Sequence, residues 1–226
     1  MEYAGREGRA RVGRGSWSRR LEIWCSLAMF VAGASAAAAE SADRVLAESE
    51  ARVRTVRCAS GQSLADVVSR ARAGDVVVVI GECSGPIQIA TDGITIEGNG
   101  AAVLSGPGSG PPAEFSALVT VTGVHNVVIS GLTLQGSNGE GILVQRAGAA
   151  VVRDTLVQDN LGTGIAVAEG STVQLIDTVS RRNAIGLDVF TGSSAVLKGA
   201  VGLSENRGPG AEVNGQSILE IRGADV

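Results

Sequence analysis

The stretch Val127-Val128-Ile129-Ser130-Gly131-Leu132-Thr133-Leu134, followed by Asn138-Gly139-Glu140-Gly141-Ile142-Leu143-Val144, decides the fold, because its pattern recurs. A glycine followed by an apolar residue stands at Gly141-Ile142, Gly164-Ile165, Gly186-Leu187 and Gly210-Ala211, at spacings of 23, 22 and 24. Asn138, Asn160, Asn183 and Asn206 precede those glycines, 22, 23 and 23 residues apart. Gly131, Asp154, Asp177 and Ala200 fall 23 apart throughout. Three landmarks on one period mark a repeat architecture. Stacking the chain at 23 gives the columns Val127/Ala150/Val173/Val196 and Ile129/Val152/Leu175/Lys198. Within a unit these positions alternate with others, the period of a half-buried strand rather than a helix. A third short strand opens after each glycine, with Ile142 and Val144, Ile165 and Val167, Leu187 and Val189 inward. Three short strands per 22–24 residues, joined by Gly/Asn turns, make one coil of a parallel β-helix. Residues 85–223 hold about six such coils, each burying its strand edges only when its neighbour stacks.

The columns also sort the polar residues. Asn138, Asn160, Asn183 and Asn206 read as a structural turn ladder, since Asn tolerates left-handed backbone and stacked amides can hydrogen-bond along the axis. Asp154 and Asp177 fall one coil apart, so their backbones should lie about 4.8 Å from each other. Two stacked carboxylates with Arg153 beside them are the one candidate catalytic or calcium-holding set, although Asp is ordinary at a turn. Val128, Val151, Gln174, Leu197 and Ile176 should point outward and form an apolar stripe. Lys198 in an inward column signals that the fourth coil slips by one residue, which exchanges inside and outside.

Working outward to the N-terminus, Ser63 can cap a short helix carrying Leu64, Val67, Val68 and Ala71 on one face, ended by Gly74. That helix would cover the first coil. Residues 58–84 thus read as an N-terminal cap with the first strands of a domain spanning 58–226, and 40–57 as a charged leader or linker. Residues 1–39 read as a signal peptide: six arginines from Arg6 to Arg20, an apolar stretch Ile23–Ala39, and Ala37-Ala38-Ala39 as the cleavage site before Glu40. The apolar stretch is 17 residues, short of the roughly 20 that span a bilayer, so cleavage is favoured over retention as an anchor. The expected location is exported, periplasmic or extracellular, with no stable membrane insertion. Cys58 and Cys83, the even pair left in an exported chain, favour a disulfide over two buried thiols. At the far end Leu219 and Ile221 open another coil with no capping helix after it, which leaves an edge open to end-to-end association.

Composition excludes several chemistries. The chain has 32 Gly but 3% aromatic residues, and beyond residue 39 only Phe115 and Phe190 are aromatic, with His125 the single His and no Met. That removes stacking platforms for bases or sugars and any His or Met metal cluster. From Glu40 onward thirteen basic residues face twenty acidic ones, a net charge of −7, so a nucleic-acid partner loses its electrostatic footprint.

The run Cys58-Ala59-Ser60-Gly61-Gln62-Ser63-Leu64 through Ala73-Gly74-Asp75-Val76-Val77-Val78-Val79-Ile80-Gly81-Glu82-Cys83 resembles the start of exported bacterial right-handed parallel β-helix proteins. Val119-Thr120-Val121-Thr122-Gly123 and Val127–Leu134 resemble coils of the same pectin-lyase-like superfamily. The resemblance covers about residues 57–226 and implies the fold. It implies no single activity, since the superfamily hosts lyases, hydrolases, epimerases, adhesins and inert scaffolds. Its catalytic signatures are not matched: no adjacent Asp pair occurs, no Asp-Pro-His, and His125 lies in Gly123-Val124-His125-Asn126 rather than between glycines. The leading expectation is therefore a non-catalytic exported scaffold or binding module without a cofactor. The alternative is a polysaccharide lyase or glycoside hydrolase on acidic polysaccharide, using Asp154, Asp177 and Arg153, with calcium possible. A polysaccharide or another protein is the expected partner.

Overall fold

A computed structural model describes residues 51–108 and 116–225. The proposed signal peptide and the tip of the Gly/Pro-rich loop after Ser105 lie outside the described residues. The alternating apolar residues of each unit do form strands, and these stack in parallel into three ledges around one core. The first ledge runs through Val53–Arg57, Val76–Ile80, Thr95–Ser105, Val127–Gln135, Ala149–Arg153, Thr172–Ile176, Ser194–Ala200 and Ile218–Asp225. The second runs through Ile87–Ile89, Ala117–Thr122, Glu140–Gln145, Ile165–Val167, Leu187–Val189 and Ala211–Val213. Between them, Glu82–Ser84, Leu156–Gln158 and Val179–Arg181 pair with the distal halves of neighbouring strands or with one another. Ile129, Val152, Leu175 and Leu197 stack on consecutive rungs, each with 0% exposure, so the core is a continuous aliphatic column.

Three expectations change. Eight strands of the first ledge stack in order, which makes seven turns rather than six, because strands before residue 85 already belong to the solenoid. Val53–Arg57 pairs with Val76–Ile80, so part of the supposed leader at 40–57 is the first rung; its three charged or polar residues hid a strand closed by one buried side chain, Val56. The fourth coil slips as Lys198 signals. Val173 pairs with Ala195 and Leu175 with Leu197, a step of 22, so Ala195 and Leu197 point inward while Val196 and Lys198 point outward. Lys198 thereby keeps its ammonium in water, and Leu197 leaves the outer stripe for the core.

The N-terminal end is closed as the sequence suggests. Ser63 accepts a hydrogen bond from the Asp66 N–H at 3.2 Å, and the helix Leu64–Ser69 buries Leu64 and Val68. It stops at Ser69, well before Gly74. Cys58 and Cys83 form a disulfide with Cα atoms 5.1 Å apart, tying this cap to the strand Glu82–Ser84. Closing a loop of 25 residues constrains the unfolded chain by about 3 kcal/mol. Cys83→Ala should lower the unfolding free energy by about that amount in urea, and reduction of the unaltered protein should reproduce the loss.

Asp75, 2% exposed, locks the first rung. It accepts N–H bonds from Arg52 at 3.1 Å and Arg72 at 3.0 Å, and from the Arg54 guanidinium at 2.8 Å. Burial alone would raise its pKa, but these donors outweigh it and hold the carboxyl below its ordinary 3.8. A depressed folded pKa adds stability that is present above the unfolded value and lost as pH falls through the folded one. Below pH 3.8 the thermal midpoint should therefore fall steeply, and Asp75→Asn should flatten that acid limb while lowering the midpoint at neutral pH.

Candidate functional site

The sequence-derived Asp pair sits at the corner where each first-ledge strand turns. Gly131, Asp154, Asp177 and Gly199 occupy one column there, with φ of 63°, 50°, 47° and 66°. Gly199 replaces the expected Ala200, a consequence of the 22-residue fourth coil. Left-handed backbone disfavours most L-residues but is tolerated by Asp and Gly, which explains both residue types. The two carboxylates differ in employment. Asp177 accepts the Ala200 N–H at 2.8 Å, capping the turn of the next coil. Asp154 instead borders an open depression of about 330 Å³, with Arg153, Glu97, Asn99 and Ser130 among its other walls. The structure thus brings Arg153 and Asp154 together and leaves Asp177 outside the depression. Arg153 and Asp154 are both exposed.

Arg181 and Arg182 do not serve the Asp pair. Arg182 binds Asp159 through two hydrogen bonds of 2.7 and 2.9 Å and reaches Glu205 at 3.5 Å. This guanidinium hydrogen bond is the main reason the Asp159 carboxyl lies below its ordinary range. Arg181 donates to Gln158, whose own amide donates to Gln135 at 3.1 Å. The outer side of this ledge is therefore knitted rung to rung.

The Asn ladder is continuous from Ser137 to Asn206, buried down to Asn183 and half-buried at Asn206. The Ser137 N–H donates to Asn160 Oδ1 at 2.9 Å, Asn160 N–H to Asn183 Oδ1 at 3.1 Å, and Asn183 N–H to Asn206 Oδ1 at 2.9 Å. Ser137, rather than Asn138, is the first rung, because the repeat step here is 23 and not 22. A second ladder escaped the sequence reading. Gly148 N–H donates to Ser171 Oγ at 3.1 Å, Ser171 N–H to Ser193 Oγ at 3.2 Å, and Ser193 N–H to Ser217 Oγ at 3.1 Å. Its signal was present as Ser171, Ser193 and Ser217 at steps of 22 and 24.

A further acid was also missed. Asp188 lies on the outer side of the second ledge, where Glu212 is its rung partner. Burial, then the Glu212 charge, raise its pKa, and among the described residues its Oδ1 has no hydrogen-bond partner. This carboxyl holds its proton more readily than an ordinary Asp, which suits donation rather than metal binding.

Calcium takes six to eight oxygen ligands. Asp154 and Asp177 supply two carboxylates, one already engaged, and among the described residues no group of three His, Cys, Asp or Glu gathers. These two carboxylates by themselves do not make a calcium site. Among the described residues no helix is long and apolar enough to cross a membrane.

Comparison with known proteins bears on the fold. A crystal structure of pectate lyase Pel9A superposes with a TM-score of 0.56 at 16% identity, covering 70% of this chain and 50% of that one. The chain thus spans half the length of that enzyme. No curated protein matches the sequence. The family described as right handed beta helix region matches residues 81–201 and 117–224. Those matches run over more than half of the chain, and it belongs to the right-handed β-helix family.

Proposed function

We propose that the chain is an exported, non-catalytic β-helix that serves as a binding module in the periplasm or at the cell surface. The observation that carries this reading is the bond from the Ala200 N–H to Asp177. It commits half of the only stacked carboxylate pair read from the sequence to holding a coil turn, so Asp154 has no acid/base partner in its column. The ladders and the Asp159–Arg182–Glu205 chain spend further polar groups on the scaffold in the same way. Acidic polysaccharide is the ligand to test first, because the fold is like that of a pectate lyase and Arg153 supplies a cation in the wall of the depression, beside Glu97 and Asp154. Another protein is the second.

The rival reading, a lyase or hydrolase, is favoured by two observations: Arg153 and Asp154 share the depression, and Asp188 stacks on Glu212 with its pKa raised. The two separate on incubation with pectate, alginate and hyaluronan, with and without calcium, following both binding and new unsaturated or reducing ends. Binding without turnover, weakened by Arg153→Ala and indifferent to Asp154→Asn, is the expected result. Turnover abolished by Asp154→Asn would overturn it.

A further inference from the structure

An Asn-Gly pair is open to loss of the side-chain amide, because a following glycine has no Cβ to keep its own nitrogen from the Asn amide carbon. The chain has such pairs at Asn99-Gly100, Asn138-Gly139 and Asn214-Gly215. The fold treats them differently. In the strand Thr95–Ser105, Gly98-Asn99-Gly100-Ala101 stand opposite the single Gly131, between the rung pairs Glu97/Ser130 and Ala102/Leu132. They form a bulge, and Gly98, Asn99 and Gly100 belong to the wall of the depression that holds Arg153 and Asp154. The bulge is fixed at its base, where a Cβ on Gly98 would strike the Gly131 carbonyl. At its tip Asn99 and Gly100 are exposed, and Gly100 holds a φ of 80° with nothing within 4 Å of its Cβ position. Asn99 Oδ1 accepts the Ala101 N–H at 3.2 Å.

We propose that Asn99 is a self-modifying site, where the folded chain sheds the amide and leaves isoaspartate or aspartate on the depression wall. The Gly100 nitrogen attacks Asn99 Cγ, and a C–N bond forms as the nitrogen's proton passes to water. The Cγ–Nδ2 bond breaks, Nδ2 takes up a proton and leaves as ammonia, and a cyclic imide remains. Water then opens the imide at either carbonyl. One opening restores the normal peptide bond as aspartate, and the other routes the backbone through Cβ and Cγ as isoaspartate. During the attack negative charge gathers on Oδ1, where the Ala101 N–H already stands, and a donor preset at a developing oxyanion lowers the barrier. The other two pairs lack this arrangement. The Gly139 N–H, which would supply the nucleophile at Asn138, donates to Ser137 Oγ at 3.1 Å, and both residues are buried. At Asn214 the leaving group is held instead, since its Nδ2 donates to Glu212 Oε1 at 2.8 Å. Conversion at Asn99 adds a third carboxylate to Glu97 and Asp154 on the wall that holds Arg153. An anionic chain therefore meets a more repellent depression as the protein ages.

The purified protein, held for days at mildly alkaline pH and mapped by peptide mass spectrometry, tests this. The mass gain of an amide-to-acid exchange should appear at Asn99 at least about tenfold faster than at Asn138 or Asn214, the effect of one hydrogen bond gained in the transition state. An isoaspartate-specific methyltransferase should label the Asn99 peptide first. In guanidinium chloride the three rates should converge, since only the shared Asn-Gly sequence then acts. Asn99→Gln, whose longer side chain must close a larger and less favourable ring, should abolish the early acidic species on anion exchange. The readout needs no ligand, so it stands or falls apart from the proposed binding role. Faster conversion at Asn138 or Asn214 in the folded chain, or an Asn99 that stays intact, would overturn the proposal. So would the same ranking in guanidinium chloride, because the fold would then play no part.

Discussion

Asn183→Ala is expected to cost about 4 kcal/mol in denaturant unfolding, the sum of several buried polar groups left without partners. Asn183 is 0% exposed. Its Oδ1 accepts from Asn160 N–H at 3.1 Å and from Asn160 Nδ2 at 2.9 Å. Its own Nδ2 donates to Val157 O and to Ser180 Oγ, both at 3.1 Å. Truncation strands two donors and a carbonyl inside the solenoid, where water cannot reach them, and leaves a small cavity. The same change at Asn206, half-buried and lower in the ladder, should cost about 2 kcal/mol, since it strands only the Asn183 N–H and the Ser180 carbonyl. Equal effects at the two sites would show that the ladder is not held by its amides.

Gly164→Val should be at least as severe, at about 4 kcal/mol, because it overpacks a site where backbone and ladder converge. A Cβ at Gly164 would run into Ser180 Oγ, would come within 2.6 Å of Asn183 Nδ2 and would lie 2.9 Å from Gly186 O. Neither can move without breaking a bond, since the amide holds Val157 O and Ser180 Oγ and the Gly186 carbonyl accepts from the Ile165 N–H and the Ser180 hydroxyl. Gly170→Val provides the comparison, since nothing lies within 4 Å of its Cβ position and only its φ of 71° opposes the change. Thermal melts should separate the two variants widely. Similar midpoints would mean that the coils have more lateral slack than their packing indicates.

Much of this was legible in the order of residues, and the exceptions have physical causes. Gly141, Gly164 and Gly186 recur coil after coil because a Cβ at each would run into the next coil, so no larger residue fits there. The turn between Asn183, 23 residues past Asn160, and Leu187, 22 past Ile165, absorbs a missing residue, which shifted Val196 and Lys198 by one face. Asp154 and Asp177 look alike in sequence, and only the Ala200 N–H, one coil away, tells the engaged carboxylate from the exposed one. Arg182 lies near Asp177 in sequence, yet stacking presents it to Asp159, 23 residues back. Partners across coils are set by the stacking step, so an error of one residue in that step reassigns them all.

The left-handed corners have a consequence for engineering. Arg146, Glu169, Arg182, Thr191 and Glu205 all hold φ between 53° and 57°, a region such residues enter at a cost of roughly 1 kcal/mol each. Evolution has left relief available at several corners. Glu169 and Thr191, exposed and each followed by a glycine, could be exchanged for Asn or Gly at little risk. Each exchange should raise the melting temperature by a few degrees, and their gains should add, because they sit on separate rungs. A solenoid tuned this way would be a sturdier rod on which to space attached domains at the coil interval.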